Sequence, residues 1–175
     1  MKKWILVVVG ALALFVAVAY GVGARLPREH VATVRAHFRQ PPDSIYRVLF
    51  EVAAYPAWRS DVELVQREPD RNGHVIWKER ERTGALAYEF TVAVRPTRLV
   101  SEIITPDAGF SGRWIYQILP DSGGTALTIT EEGSVDNPIF RFLMRYVFGV
   151  YGTLETFVRA LGTRFGETVT PARVV

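Results

Sequence analysis

The apolar positions of this chain change period several times, and each change predicts a different element. Residues 4–24 are an unbroken run of 21 residues without a charge. At a rise of about 1.5 Å per residue this is long enough for a hydrocarbon core of about 30 Å. Over residues 30–38 the pattern alternates. Ala32, Val34, Ala36 and Phe38 face one way, with Val31, Thr33, Arg35 and His37 opposite, which predicts a half-buried strand with its even positions inward. Pro41-Pro42-Asp43-Ser44 breaks that strand and offers a cap, and Ile45, Val48, Leu49 and Val52 then recur at helical spacing. Residues 55–60, Tyr-Pro-Ala-Trp-Arg-Ser, read as a turn.

From residue 62 to 135 short alternating runs follow one another at 63–67, 74–82, 85–95, 99–105, 110–119 and 125–132. They are separated by turn signals at 69–73, Thr83-Gly84, Pro96-Thr97, 106–109 and 121–124. In the third run Leu86, Tyr88, Phe90, Val92 and Val94 share a face, and in the fifth Phe110, Trp114, Tyr116 and Ile118 do. Residues 137–165 then return to a helical period. Ile139, Leu143, Tyr146, Val147, Val150, Leu154, Phe157, Val158, Leu161 and Phe165 make one stripe of a long helix, with Pro138 in its first turn and Asn137 or Asp136 as cap.

One strand, two short helical turns, about six hairpin-connected strands and one long helix predict an α+β fold. A curved antiparallel sheet grips the C-terminal helix, because each has one apolar face and each covers the other. The expected organisation is an N-terminal segment 1–25, a folded domain over 29–167 and a tail over 168–175. Trp58, Trp77, Tyr88, Phe90, Phe110, Trp114 and Tyr116 are many rings for one sheet face. They either pack solidly on the helix or line a hollow beneath it. Gly149, Gly152 and Gly162 favour the hollow, since glycine inside a helix costs about 1 kcal/mol and is kept for closeness or room.

Charge and composition narrow the setting. The apolar run is a transmembrane anchor or a cleaved secretory signal, with Ala17-Val18-Ala19 resembling a cleavage site; its length favours the anchor. Lys2 and Lys3 precede it and Arg25 and Arg28 follow, so basic residues do not settle orientation, and the extracytoplasmic side is the marginal preference for the domain. Without Lys2 and Lys3 the chain carries 19 basic against 18 acidic residues, which argues against a nucleic-acid partner. There is no cysteine, hence neither disulfide nor lipid-modified cysteine.

Candidate chemistry is sparse. His30, His37 and His74 make no metal-ligand spacing, no serine sits in a nucleophile-elbow context, and no cofactor is implied. Glu79 shares a face with Val75 and Trp77, and Glu131 with Leu127 and Ile129; these are the two weak catalytic candidates, because carboxylates in an apolar face sit at functional sites. The competing expectation places both at strand ends, in water or bridged to Arg80, Arg82 or Arg113. Arg95 and Arg113 read as solvated outer-face charges, although an arginine at a pocket rim suits an acidic head group. The candidate ligand-binding set is Trp58, Trp77, Tyr88, Phe90, Trp114 and Tyr116 from the sheet side, with Val150 and Leu154 from the helix. Plain core is the alternative, most strongly for Phe90.

Tyr55-Pro56-Ala57-Trp58, Trp77, Gly112-Arg113-Trp114, Thr130-Glu131-Glu132-Gly133 and Asn137-Pro138-Ile139-Phe140-Arg141, in this order of elements, resemble the SRPBCC superfamily, in particular its polyketide cyclase/dehydrase and lipid transport branch. The resemblance covers about residues 31–165. It implies a START-like helix-grip fold with a deep apolar cavity between sheet and C-terminal helix; the metal ligands of its oxygenase branch have no counterpart here. Three functions are expected, the first ahead of the other two. The first is membrane-tethered binding or transport of a hydrophobic small molecule such as a lipid, quinone or polyketide-like compound. The second is a cyclase/dehydratase-type lyase that moves a proton with Glu79 or Glu131. The third is a non-catalytic membrane adaptor using Phe140, Met144, Phe148 and Tyr151.

Overall fold

A computed structural model describes residues 2–82, 84–106 and 108–174. The apolar run forms α1 (Lys2–Gly23), and the alternating run after it forms β1 (Glu29–Phe38), with Ala32, Val34, Ala36 and Phe38 buried as the period requires. α2 (Pro42–Phe50) buries Ile45, Tyr46 and Leu49. No side chain caps it; the amides of Ser44 and Ile45 donate to the Pro41 carbonyl instead, and Asp43 pairs with Arg47 and Arg95. A 3₁₀ turn over Val52–Ala57 leads into six strands: β2 (Val62–Arg71), β3 (His74–Glu81), β4 (Gly84–Val94), β5 (Arg98–Ile103), β6 (Phe110–Asp121) and β7 (Gly124–Val135). The chain ends in α3 (Pro138–Leu143), a π turn over Met144–Phe148, α4 (Gly152–Arg164) and β8 (Ala172–Val174).

The strands form one antiparallel sheet in the order β2-β3-β4-β5-β6-β7-β1-β8. Hairpin connections build the run β2 to β7. β1 closes on β7, and the last residues of the chain add β8 outside β1, a strand that no periodicity announces. Of the expected turns, Thr83 and Asp107 lie outside the described residues.

Three local expectations are corrected. The turn at 69–73 is shorter, because β2 continues through Pro69 and Asp70 to Arg71 after a register shift. Asn72 (φ 53°) and Gly73 (φ 82°) alone make the reversal, as a two-residue hairpin turn with two positive φ values demands. In β4 a bulge follows Phe90: Phe90 pairs with Ser101 but Val92 with Val100, so the alternation shifts by one residue. Phe90 is buried and Val94 is exposed, although the unbroken pattern put both on the inner face.

The third correction concerns the long helix, which is two. Asn137 caps α3, its side-chain oxygen accepting from the amides of Ile139 and Phe140. Gly149 then adopts φ 74°, a conformation open to glycine, and interrupts the rod. Only α4 lies on the concave face of the sheet, burying Leu154, Phe157, Val158 and Leu161. Tyr146 and Val147, expected on the same stripe, are exposed. The π turn and Gly149 together throw the first half out of phase with the second. Gly162 serves closeness: a Cβ there would stand 2.8 Å from Val169 Cγ2 and 2.9 Å from the Glu167 carbonyl oxygen, where the returning chain crosses α4.

Candidate functional site

The centre of the concave face is built on β3. Its inward positions carry Trp77 and Glu79, each 2% exposed, so a carboxylate stands in the apolar floor of the sheet. Such a group needs partners, since several kcal/mol separate a buried unpaired charge from a solvated one. Trp77 Nε1 donates to Glu79 Oε1 at 2.8 Å, and Arg59 Nη1 donates to Oε2 at 2.9 Å. Arg59 comes from the segment after the 3₁₀ turn. Its side chain is 11% exposed, and it also donates through Nη2 to Asp61 Oδ2 at 2.6 Å and through Nε to Asp61 Oδ1 at 3.4 Å. Asp61 reaches solvent with half its side chain. A charged track therefore runs from the surface at Asp61 through Arg59 to Glu79 in the core.

Aromatic rings flank this track in two groups. Trp77 stacks on Tyr88 at 5.4 Å between centroids and lies 4.5 Å from Phe90, which continues through Phe50 to Tyr46. On the other side Phe157 of α4 gathers Trp58 at 5.4 Å, Trp114 at 5.2 Å and Tyr116 at 6.1 Å. The ion pair joins the groups, Glu79 holding the Trp77 indole and the Arg59 guanidinium lying over the rings of Tyr55 and Phe157 at 5.1 and 5.5 Å. Burial pushes the Glu79 carboxyl above its ordinary range, against the opposing pull of Arg59 and the Trp77 N–H. Burial lowers the affinity of Arg59 for its proton, but Glu79 and Asp61 outweigh it and keep the guanidinium charged. The phenols of Tyr55, Tyr88 and Tyr116 are driven upward by burial and stay neutral. The buried Trp58 Nε1 has no hydrogen-bond partner among the described residues, in contrast to most buried indoles.

The structure thus brings together most of the residues singled out from the sequence: Trp58, Trp77, Tyr88, Phe90, Trp114, Tyr116 and Leu154 belong to the core under α4 or pack on it, and Val150 packs on it from just before α4. Their rings touch one another. Glu131 lies elsewhere on the face, opposite Trp114 in the β6–β7 register and 3.5 Å from His30 Nε2, apart from the Glu79 pair. The bridges expected for the two carboxylates are not the ones formed. Arg80 pairs with Glu63 and Arg113 with Glu132, both on the outer face. Arg95 is bound to Asp43. An open trough of about 480 Å³ crosses that outer face over Val31, Glu102, Ser111, Arg113 and Glu132, away from the rings. Among the described residues no group of three or more His, Asp or Glu gathers as metal ligands do.

Arg59, Tyr55 and Phe157 are the members of the site that the sequence did not offer as binding or catalytic candidates, although Tyr55 stood in a quoted motif and Phe157 in the apolar stripe of the last helix. A signal for Arg59 existed. A buried Glu79 requires a cation, and Arg59 is the basic residue of the turn after α2.

No protein-family model matches this sequence, and no curated protein matches it. Solved structures do. The di-domain ARO/CYC StfQ from the steffimycin biosynthetic pathway superposes with a TM-score of 0.60 at 12% identity, covering 79% of this chain and 52% of that one. This chain therefore spans about half the length of that di-domain protein. Norcoclaurine synthase from Thalictrum flavum gives 0.61 at 14% identity, covering 79% and 87% of the two chains, and a protein from Thermus thermophilus gives 0.61 at 17%, covering 77% and 96%. At these identities the likeness concerns the fold. By its fold, this chain is a helix-grip protein, a curved antiparallel sheet covered by α4.

Proposed function

We propose that this domain binds a hydrophobic, ring-bearing small molecule between the concave sheet and α4, at a bilayer to which α1 tethers it. One observation carries this reading: a buried ion pair, Arg59–Glu79, set between two groups of aromatic rings and connected to solvent through Asp61. An apolar core gains no stability from such a pair relative to well-packed hydrocarbon, so its presence points to recognition of a polar group on an otherwise apolar partner. The Trp58 indole N–H, buried and without an acceptor, offers a further contact. Entry requires the Trp58–Phe157 contact to open, and Gly149 at the head of α4 is where the backbone can swing. Two of the structural neighbours support ligand binding by this fold: one carries an ARO/CYC name, and norcoclaurine synthase was solved with a transition-state analogue.

The test is extraction. The full chain purified from its membrane in mild detergent is expected to release an apolar compound identifiable by mass spectrometry, and Trp58→Ala is expected to lose it. Protein that carries no compound, and whose tryptophan fluorescence is unmoved by quinones or polycyclic aromatics, would overturn the reading.

A second reading is favoured by the raised proton affinity of Glu79, which suits a carboxyl that takes and returns a proton during a ring closure or dehydration. It predicts that Glu79→Gln keeps ligand uptake and abolishes turnover. Loss of neither would remove Glu79 from this role and leave Glu131 as its remaining candidate.

A further inference from the structure

Outside α1, most exposed large apolar side chains of the domain stand singly on strands, as at Val31, Leu64, Val94 and Leu119. Residues 140–148 are different: Phe140, Tyr146, Val147 and Phe148 are 57 to 66% exposed within nine residues. This concentration is of the kind that marks a contact surface. What covers it is indicated by α1. Phe15, Ala19 and Gly23 recur at four-residue spacing and form one stripe of that helix. At its top, a Cβ on Gly23 would collide with the Pro138 carbonyl, so the first turn of α3 lies directly on the helix. Lower down, Phe15 meets Phe142 edge-to-face at 6.2 Å, and Ala19 between these contacts is 1% exposed. The two helices therefore run antiparallel in contact. Phe15 precedes Gly23 by eight residues, about 12 Å along the axis.

Polar groups follow the same depth order. The Arg141 guanidinium donates to the Leu26 carbonyl at 2.9 Å, and Arg28 faces Asp136 at 3.6 Å, both just beyond the end of the apolar run. Past Arg141 the exposed side is apolar except for Arg145, whose long stem permits its charge to return to the surface.

We infer that residues 140–148 insert into the hydrocarbon region of the bilayer that α1 crosses, as a re-entrant segment that descends beside α1 and turns back at Gly149. The occupant of this surface is lipid acyl chain. The inference rests on α1 spanning the membrane, because a helix in contact with Phe15 shares its depth.

The chain contains no cysteine, so single-cysteine variants take one fluorescent label each. Phe148→Cys and Val147→Cys report on the segment, Val9→Cys on α1, and Leu64→Cys on an exposed apolar site of β2; all four positions are exposed, so the fold tolerates the change. The full chain is reconstituted into phosphatidylcholine vesicles containing a lipid with a nitroxide in its acyl chain. Labels at 147 and 148 are expected to be quenched several-fold more than at 64, and to about the extent seen at 9. Quenching at 9 with labels at 147 and 148 behaving like the one at 64 would overturn the insertion and leave the span standing. No quenching at 9 would overturn the span, and the inference with it.

Discussion

Arg59 holds Glu79 in place and Glu79 holds Trp77, so the arginine is the residue whose removal the core can least absorb. Arg59→Ala leaves a buried carboxylate with only an indole N–H, and a loss of about 3–5 kcal/mol is expected in denaturant unfolding of the detergent-solubilised chain. Asp61→Ala removes the solvent-facing partner and should cost no more than about 1 kcal/mol. Replacing both members of the buried pair together, Arg59→Met with Glu79→Leu, should recover most of the stability while weakening ligand uptake. That combination separates a recognition role from a packing role. Glu167 is a second buried carboxylate, at the far end of the core. Burial raises its proton affinity, but the Arg39 amide and the Gln40 side-chain amide, each donating at 2.9 Å, outweigh this and hold it below the ordinary 4.5. A depressed folded-state value means that the unfolded chain binds the proton more readily. The stabilisation is therefore complete above about pH 4.5 and lost as pH falls through the lower folded value. Glu167→Gln should flatten the fall in melting temperature below that pH.

At the scale of elements, the glycines near the carboxyl end decide how the last segment is used. Periodicity alone predicted one rod over 137–165, because it counts phase and is blind to a positive φ. The apolar stripe was correctly read after Gly149, where Leu154, Phe157, Val158 and Leu161 rest on the sheet; before it, Phe142 meets α1 while Tyr146 and Val147 of the expected stripe are exposed. Gly149→Ala should cost about 1–3 kcal/mol, because φ 74° with ψ 162° is a backbone conformation that essentially only glycine adopts. Gly162→Ala tests the opposite principle. In an open helix this change gains about 1 kcal/mol; here the new Cβ meets Val169 and the Glu167 carbonyl, so a loss of about 1–3 kcal/mol is expected, read as a lower unfolding midpoint. The β4 bulge is a related case. Leu86, Tyr88 and Phe90 were assigned to the inner face from alternation, and the assignment fails only after the extra residue between Phe90 and Val92, which no local propensity marks.

Across the whole molecule, the helix-grip arrangement places the charged track and the rings under α4, while the segment before α4 leans on α1. Removing residues 1–25 should therefore uncover the α1-facing side of α3 beside Phe140, Val147 and Phe148, which are exposed already. The truncated domain is expected to self-associate without detergent, and Val147→Ser with Phe148→Ser to shift it toward monomer in sedimentation velocity. Much of the architecture was legible in advance. The strands of β1 and β3–β7, their inward faces, the Asn137 cap and the aromatic concentration follow from spacing and turn chemistry, which act over a few neighbouring residues. The contact of Trp77 with Tyr88 and Phe90 was legible for the same reason, since inward positions of adjacent strands must meet. What the amino-acid order alone determined is thus which side chains turn toward the core and which elements carry them. The partner of Glu79, the bend that sends residues 140–148 toward α1, and the pairing of β8 with β1 were decided only by the tertiary structure. Each rests on residues distant along the chain, 20 positions for Arg59 and Glu79 and 115 for Arg141 and Leu26, and such contacts exist only once the sheet has curved and brought them within hydrogen-bonding reach.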